Sequence, residues 1–295
     1  MLLVAGRTGL VARPIINGLA QTLGRKRLLT EDTVSSAIPS QFEVHQASFS
    51  DNTALARPLE GVREMFLIPR IDQDLIAKQR ALIVAAKQAG VQEITLLSLI
   101  GADSRSPVRI LRWFGVVEDE IRAHGFNTTI LRTAPFMQNL LLFARSAMKN
   151  GELRGPFRDV KFPWLSACDL AAAAAALSDD NVGNTILTLS GPEALGFADF
   201  ARLVSQAANR ELEYVDITMH EARGYLEAAR LSPMKVLAIS EWWDALISGL
   251  VEIPASDDLE HLLGRKPVSL AQFVAENLGT FSACCRDSTK KLAHM

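Results

Sequence analysis

The chain has 295 residues, of which 48% are hydrophobic and 22% charged, and its formal net charge is -2. This length allows one large or two modest domains, and the near-neutral charge argues against direct binding to nucleic acid or to an anionic membrane surface. The three cysteines, Cys168, Cys284 and Cys285, lack the spacing of a disulfide framework or a metal site, which favours a reducing, cytoplasmic location.

Neither a membrane segment nor a metal site is expected. The longest apolar runs, such as 170–177, are far shorter than the roughly 20 residues of a membrane-spanning helix. The first predicted strand begins at the first residue, so we expect no signal peptide. The five histidines are scattered without the spacing of metal ligands.

The first twelve residues, MLLVAGRTGLVA, predict a dinucleotide-binding turn. Residues 2–5 form an apolar run typical of a strand buried on both faces of a parallel sheet, and 10–19 predicts a helix. Gly6 suits a tight turn, Gly9 lets backbone amides approach a pyrophosphate, and Ala12 lets the helix pack close to the strand. The free N–H groups at the start of the helix would then hold the phosphates. The alternative is an ordinary strand–helix turn that happens to contain glycines.

The end of the second predicted strand bears on the choice between NAD(H) and NADP(H). Residues 26–29 predict this strand, and Thr30, Glu31 and Asp32 follow it. An acid about 20 residues beyond the glycines usually binds the ribose hydroxyls of NAD, whereas an arginine there usually pairs with the extra phosphate of NADP. Glu31 or Asp32 therefore favours NAD(H), unless both face solvent in a turn. Arg7, inside the glycine turn, favours NADP(H), because a guanidinium can pair with a phosphate.

Strands and helices alternate through the first half of the chain. Further strands are predicted at 42–45, 64–68, 93–98 and 128–131, and helices at 50–59 (with Ser50 as N-cap), 72–87 and 107–124. This alternation predicts an α/β fold with a Rossmann-type doubly wound parallel sheet. We assign residues 1–150 to this nucleotide-binding domain and expect the segment 160–190 to return to its sheet.

The second half has a different pattern. It predicts a helix at 136–148, a polar break at 150–156, an alanine-rich helix at 169–177 with Asp169 as N-cap, strands at 186–189 and 212–217, and mostly helix over 197–281. We predict a smaller, mostly helical lobe over 191–282 that closes over the nucleotide domain. The tail over 283–295 is polar, lacks apolar periodicity and is expected to be disordered.

A series of motifs runs in order along the chain: GRTGLVA at the start, LEGVREMFLIP at 59–69, LLSLIGAD at 96–103, RWFGVVEDEIRAHGFNTTILR at 112–132, FMQNLL at 136–141, CDLAAAAAAL at 168–177, LTLSGPEAL at 187–195 and LLGRKPVSLAQFVAEN at 262–277. In this series the chain resembles the NmrA-like family of atypical short-chain dehydrogenases over residues 1–282. The resemblance implies a Rossmann domain that binds NADP(H) or NAD(H), with a small C-terminal domain over a cleft. The family includes NAD(P)H-dependent quinone, azo-dye and triphenylmethane reductases, and also regulators that sense the dinucleotide without turning it over.

The chain departs from the family pattern at four places. Relatives usually carry Gly-Asp after the third strand, with the Asp on adenine, where this chain has Ala47-Ser48. Many have histidine in place of Phe114, Ser-Ser in place of Ser98-Leu99, and Arg-Pro in place of Arg132-Thr133. A hydroxyl at Ser48 still accepts a hydrogen bond, though a weaker one than a carboxylate.

Together, the glycine turn, the expected strand ends and the resemblance predict cofactor contacts from Gly6, Arg7, Thr8, Gly9, Leu10, Thr30, Glu31, Ser48, Pro69, Ser98 and Thr133. The expected substrate pocket is lined by Trp113, Phe114, Phe136 and Asn139, because ligands of such sheets bind at the carboxyl ends of the strands. Met137 beside Phe136 is expected in the pocket wall, with core packing as the alternative for both. Trp113 lines the pocket or packs under the sheet.

The usual proton donor of short-chain dehydrogenases is missing. Ordinary members use a tyrosine four residues before a lysine, but Tyr214 and Tyr225 are the two tyrosines here, and neither precedes a lysine in this way. The corresponding helix offers Phe114 and Glu118, one turn apart on one face. Phenylalanine cannot donate the proton that carbonyl reduction requires.

Three residues are candidates for a catalytic role. Ser98 orients a substrate oxygen or the carboxamide, or else is a strand-end hydroxyl bonded to backbone. Glu118 is a catalytic acid, or else a solvated or cap-bonded acid of its helix. Asn139 binds a ligand, or else caps a helix.

Two functions remain open. The first is an NAD(P)H-dependent oxidoreductase that passes hydride to a small conjugated acceptor such as a quinone, which needs little acid assistance. The second is a non-catalytic, NAD(P)-binding redox-sensing regulator. We expect a small-molecule acceptor as partner, leave a homodimer open, and assign no role to Cys284 and Cys285.

Overall fold

The computed structural model describes residues 1–33, 38–141, 143, 151–179 and 183–279. The strands of this part are β1 (Leu2–Gly6), β2 (Lys26–Thr30), β3 (Phe42–Gln46), β4 (Glu64–Ile68), β5 (Glu93–Leu99), β6 (Asn127–Thr133), β7 (Glu152–Gly155), β8 (Thr185–Leu189) and β9 (Glu213–Asp216). Its helices are α1 (Ala12–Ala20), α2 (Asn52–Leu59), α3 (Leu75–Gln88), α4 (Arg109–Ala123), α5 (Ala167–Asp179), α6 (Phe197–Ala208), α7 (Met219–Ala228), α8 (Pro233–Ile247), α9 (Asp258–Leu263) and α10 (Leu270–Glu276).

A seven-stranded sheet has the order β3-β2-β1-β4-β5-β6-β8, and every neighbouring pair is parallel. The predicted doubly wound α/β fold is therefore confirmed. The strand order reverses between β1 and β4, because β1 pairs with β2 on one side and with β4 on the other. In such sheets the crevice at the carboxyl ends beside this reversal is where nucleotides bind.

The chain divides into two compact units. The first comprises Met1–Thr133, Ala167–Leu189 and Asp258–Gly264, and the second comprises the described residues of Ala134–Ser166, Ser190–Asp257 and the chain from Arg265 onward. The first unit thus ends its initial segment after Thr133, earlier than the expected boundary near residue 150. The first unit also includes the short helix α9, although its sequence lies within the range 191–282 that was expected to form the lobe.

The central strands of the first unit are buried on both faces, which explains their unbroken apolar sequences. Leu3 and Val4 of β1, Leu28 and Leu29 of β2 and Leu67 of β4 are all 0% exposed. The edge strand β3 has three exposed residues among its five, so its sequence FEVHQ is mostly polar. Burial of apolar surface therefore decides which strands lie in the centre of the sheet.

The second unit is held together by aromatic packing. Phe157 stacks on Phe197 with ring centroids 4.5 Å apart, and the edges of Phe162 and Trp164 pack against this pair. Met137, at the start of a helical turn over 137–141, belongs to the same buried cluster. The small parallel sheet β7-β9 lies in this unit.

Several local expectations are wrong. Residues 150–156 were expected to form a polar break, but Glu152–Gly155 is strand β7, whose Leu153 and Gly155 are buried while Glu152 and Arg154 are only half-buried. This alternation of buried and half-buried residues spans only four positions, which is too short to be recognised in the sequence. The strand forms because it pairs with β9.

Two predicted helix caps are also wrong. Asp51, not Ser50, caps α2, because its carboxylate accepts the N–H groups of Thr53 and Ala54. Asp169 lies inside the first turn of α5, two residues after the helix begins, and is 0% exposed. A carboxylate in a first turn still interacts favourably with the helix dipole.

The expected disordered tail with Cys284 and Cys285, and the last part of the helix predicted at 136–148, lie outside the described residues. In the part of the chain that the structure describes, none of the helices combines the length and the apolar character needed to cross a membrane.

Two helix glycines provide a matched test of packing. A Cβ at Gly115 of α4 would lie 2.2 Å from backbone atoms of Asp103 and Ser104, whereas a Cβ at Gly224 of α7 would meet no atom within 4 Å. We expect Gly115→Ala to lower the free energy of unfolding by about 1–3 kcal/mol, because α4 must move away from the loop. Gly224→Ala should raise it by about 0.5–1 kcal/mol through helix propensity. Urea denaturation of both variants checks this, and equal effects would contradict the close packing at Gly115.

Candidate functional site

The glycine turn between β1 and α1 is built around a close backbone approach. Gly6 has a φ of +146°, and a Cβ there would lie 2.1 Å from the carbonyl oxygen of Ile68 on β4. By contrast, a Cβ at Gly9 would approach only the Arg7 side chain, at 3.9 Å. Gly6 is therefore required by the fold itself, whereas the space beside Gly9 is open.

The start of α1 has no side-chain cap, although within its first turn the N–H of Arg13 donates to the carbonyl oxygen of Gly9 at 3.0 Å and Pro14 carries no N–H. Val11 at the N-cap position makes no side-chain hydrogen bond to the helix, and the first turn contains no acidic residue. The N–H groups at a helix N-terminus lack intrahelical partners and carry partial positive charge, so an uncapped start next to a glycine turn suits an anionic group.

The turn is tied to the end of β2 by Asp32. The backbone N–H of Thr8 donates to Asp32 Oδ2 at 2.9 Å, and the Thr8 hydroxyl lies 3.4 Å from the same oxygen. Thr30, also predicted as a cofactor residue, is 0% exposed, and its hydroxyl accepts the N–H of Asp32 at 3.1 Å. Asp32 is thus a fixed part of the turn and not a solvated acid.

A pocket opens at the carboxyl ends of β1, β2 and β4 and against the first turns of α3. Its lining combines charged groups with two apolar side chains, and consists of Gly6, Arg7, Glu31, Asp32, Phe49, Arg70, Leu75, Lys78 and Gln79. Three of these residues, Gly6, Arg7 and Glu31, belong to the predicted cofactor set. The structure adds the others, of which Asp32 was weighed in the sequence and the remaining five were missed.

Of the charged side chains that line this pocket, Glu31, Asp32, Arg70 and Lys78 are paired. Lys78 of α3 lies 3.0 Å from Glu31 and 3.2 Å from Asp72, while Arg70 lies 3.2 Å from Asp32 and 3.5 Å from Asp72. Burial acts to lower the pKa of Lys78, but its hydrogen bonds to Glu31 and Asp72 outweigh burial and raise that pKa above its ordinary value. Lys78 is therefore a permanent cation at neutral pH.

Two polar atoms in the pocket lining are buried without a hydrogen-bond partner within the described residues. They are Nε of Arg7 and Oε1 of Gln79, and Gln79 is only 3% exposed. A buried donor or acceptor without a partner costs free energy unless a ligand or water satisfies it. These two atoms therefore fit a pocket that takes a polar ligand.

The other predicted cofactor residues lie around this pocket or along the strand ends. Leu10 is exposed, Pro69 is buried at the end of β4, and Ser48 is exposed with its hydroxyl 3.4 Å from Glu31. The buried Thr133 hydroxyl donates to the carbonyl oxygen of Ser98 at 3.0 Å and so ties β6 to β5. As cofactor contacts they stay predictions.

Ser98 and Glu118 form a buried polar cluster with two arginines. The Ser98 hydroxyl donates to Glu118 Oε1 at 2.6 Å, and Arg132 donates to both carboxylate oxygens at 3.0 and 2.7 Å. Arg122 adds a bond of 3.0 Å to Oε2, and the bonds to Glu118 raise the pKa of Arg132. Glu118 is 1% exposed, so the alternative of a solvated helix acid is wrong.

The predicted substrate residues divide between the two units. In the first unit Phe114 is 4% exposed on α4, and Trp113 beside it is half-buried. In the second unit Phe136 is 8% exposed, Met137 belongs to the aromatic core, and Asn139 is exposed. Core packing thus accounts for Met137, and the pocket roles of the other four stay predictions.

The described residues contain no group of three or more His, Cys, Asp or Glu side chains arranged to hold a metal ion. The chemistry of the pocket is instead that of a backbone turn, paired charges and an apolar wall.

The model of the NmrA-like family matches residues 1–234. The chain belongs to this family. The resemblance inferred from the ordered motifs is therefore confirmed.

Curated proteins and a solved structure match this chain along almost their entire lengths. The NAD(P)H azoreductase of Xenophilus azovorans is 29% identical over 286 residues, which cover 96% of this chain and 100% of that protein. Quinone oxidoreductase 2 of Escherichia coli is 27% identical over 283 residues, which cover 93% of this chain and 98% of that protein. The crystal structure of the E. coli NADPH-dependent quinone oxidoreductase in complex with NADPH superposes with a TM-score of 0.78 at 25% identity. The match covers 94% of this chain and 99% of that chain. These names agree with the cofactor prediction.

The open space at Gly9 gives a test of the glycine turn. Gly9→Val introduces side-chain atoms where no protein backbone lies, so we expect the folded state to be preserved. If the turn holds a dinucleotide phosphate, the same atoms should raise its Kd at least about tenfold, because the backbone amides are no longer approachable. Titration of NADH and NADPH measures this, with Gly224→Val as the control that should leave both affinities unchanged. An unaltered affinity in Gly9→Val would remove the turn from the binding site.

The buried cluster gives a test of stability. Glu118→Gln keeps the shape of the side chain but removes the buried carboxylate from Arg132 and leaves Arg122 with Asp119, so we expect a loss of about 3 kcal/mol in the free energy of unfolding. Glu120→Gln on the same helix removes only a surface pair with Arg80, and should cost no more than about 1 kcal/mol. Urea denaturation compares the two variants, and a Glu118→Gln protein as stable as Glu120→Gln would show that the cluster does not hold the strand ends.

Proposed function

We propose that this chain is an NAD(P)H-dependent oxidoreductase that transfers hydride to a small conjugated acceptor such as a quinone, without a tyrosine–lysine acid. The observation that carries this proposal is the glycine turn at the strand-order reversal, with Gly6 pressed against Ile68 and the space beside Gly9 open. Full-length similarity to an azoreductase and to a quinone oxidoreductase supports the reaction class.

The residues present fit a dinucleotide. Backbone amides of Arg7 and Gly9 and the start of α1, which has no side-chain cap, suit a diphosphate, and the pocket beside them offers partnerless polar atoms of Arg7 and Gln79. Phe49 and Leu75 supply an apolar wall suited to a flat base. When bound, the reduced nicotinamide supplies the hydride.

The tyrosines of the chain support an acceptor that needs no protein acid. Tyr214 donates its hydroxyl hydrogen to the carbonyl oxygen of Gly155 and accepts the N–H of Phe157, and burial together with Asp216 raises the pKa of Tyr214. This hydroxyl serves the structure of the second unit and is a poor proton donor. A quinone accepts hydride readily and can take its proton from water, so orientation is the main requirement for catalysis.

Glu118 and Ser98 fit positioning roles better than acid catalysis. Both carboxylate oxygens of Glu118 already accept hydrogen bonds from protein groups, namely two arginines and a serine, so the side chain is held in place by the fold. Through Arg132, which also donates to the carbonyl oxygen of Ala102, the cluster holds together the carboxyl ends of β5 and β6. Asn139, which is exposed, remains the candidate for a direct contact with the acceptor.

The redox reaction is tested by the loss of reduced-nicotinamide absorbance with a panel of quinones and azo dyes, using NADH and NADPH in parallel. We expect consumption well above the background rate with at least one quinone, because quinones need the least proton assistance. Measurable dinucleotide binding without consumption of any acceptor would overturn the enzyme proposal. That result would favour the second function, a redox-sensing regulator, which the missing tyrosine acid also fits.

A further inference from the structure

The pocket described above places two acids, Glu31 and Asp32, beside the glycine turn, and a third acid, Asp72, pairs with the cations of its lining. Glu31 Oε1 accepts the backbone N–H of Phe49 at 3.1 Å, and Glu31 Oε2 binds Lys78. Asp32 Oδ2 accepts the N–H of Thr8, and Asp32 Oδ1 binds Arg70. The third acid, Asp72, bridges the two cations. Both carboxylates at the end of β2 are thereby fixed in place by backbone and by charge.

The two cations nearest these acids are already neutralised. Lys78 and Arg70 each contact two carboxylates, at distances between 3.0 and 3.5 Å. Their side chains differ in exposure, with Lys78 at 18% and Arg70 at 44%, so the Lys78 pairs are largely shielded from water. Charge pairs at this distance are stronger when they are partly buried than when they are solvated.

This arrangement is unfavourable for a phosphate at the ribose. A phosphate monoester carries about −1.5 to −2 charges at neutral pH, and it would enter a region in which Glu31, Asp32 and Asp72 already take the charge of Lys78 and Arg70. A ribose hydroxyl, by contrast, donates a hydrogen bond to a carboxylate without any change in charge. The pocket thus matches a diol better than a phosphorylated sugar.

Arg7 is the opposing feature. It lines the same pocket, and none of the ion pairs recorded for the described residues includes its guanidinium, whose Nε is buried without a partner. A single arginine can pair with a phosphate, but Glu31 and Asp32 line the same pocket and repel that group. Arg7 accounts for residual binding of a phosphorylated dinucleotide rather than for a preference.

We propose that this pocket selects the dinucleotide without a 2′-phosphate, so that the protein binds NADH in preference to NADPH, with Asp32 and Glu31 as the specificity-determining residues and Arg70 and Lys78 as their fixed counter-ions. The inference rests on the proposed dinucleotide function of the same turn. Gln79 is consistent with it, because its partnerless oxygen gives the pocket an acceptor for a polar hydrogen of the ligand.

The proposal is tested by direct titration of the purified chain with NADH and with NADPH, following reduced-nicotinamide fluorescence or the heat of binding. We expect the Kd of NADH to be at least tenfold lower than that of NADPH. Asp32→Asn should narrow or reverse this preference, because it removes a negative charge and leaves Arg70 with Asp72 as its remaining carboxylate, while the side-chain oxygen of the asparagine still accepts the Thr8 amide. Arg7→Ala should weaken NADPH more than NADH.

Asp74→Asn is the matched control. Asp74 stands before α3, is exposed, makes no capping hydrogen bond and does not line the pocket, so the same change of charge there should alter the ratio less than twofold. Circular dichroism and thermal melting verify that each variant folds. If Asp32→Asn does not fold, Glu31→Gln provides the same test, because it removes the neighbouring charge and leaves Lys78 with Asp72 as its remaining carboxylate.

The outcomes separate this inference from the function on which it rests. Equal or tighter binding of NADPH by the unaltered protein, or an unchanged ratio in a folded Asp32→Asn protein, overturns the selection of NADH and leaves the oxidoreductase proposal intact. Failure of both dinucleotides to bind overturns the two proposals together.

Discussion

The contact between two backbones, at Gly6 on β1 and Ile68 on β4, is the constraint on which the first unit depends. β1 lies where the strand order reverses, and its last residue is so close to the neighbouring strand that no side chain fits between them. Because β1 pairs fully with β4 up to this point, the chain must leave the sheet in a tight turn. The turn then presents its amides at the crevice that the reversal of strand order creates.

The electrostatics of the pocket follow from the same arrangement. The ends of β2 and β4 flank the turn, and their acids and Arg70 meet the first turns of α3, which bring Lys78. The result is one connected set of hydrogen bonds and ion pairs that runs Thr8, Asp32, Arg70, Asp72, Lys78, Glu31 and Phe49. Since every member is held by at least one neighbour, the charge distribution belongs to the folded unit rather than to mobile side chains.

The interiors of the two units are stabilised by different interactions. The first unit buries a carboxylate, Glu118, and satisfies both of its oxygens with Arg132, Arg122 and Ser98, so that the ends of β5 and β6 are fixed by charge and hydrogen bonds. The second unit relies on rings: Phe157 and Phe197 stack, and their neighbours pack edge-on. A buried carboxylate requires all of its partners, which makes the first arrangement the more sensitive to single substitutions.

Sequence alone determined the features that depend on local pattern. The apolar run 2–5, the spacing of Gly6 and Gly9 and the alternation of strands and helices define the doubly wound sheet, because burial on both faces and tight turns leave a direct mark on the residue order. Only the tertiary structure decided the strand β7, the capping of α2 by Asp51, the burial of Glu118 and the part that Arg70, Lys78 and Gln79 take in the pocket. These depend on which distant segments meet, and an arginine after a strand or a lysine on an amphipathic helix has the same sequence pattern whether it faces solvent or a carboxylate 47 positions away, as Lys78 faces Glu31.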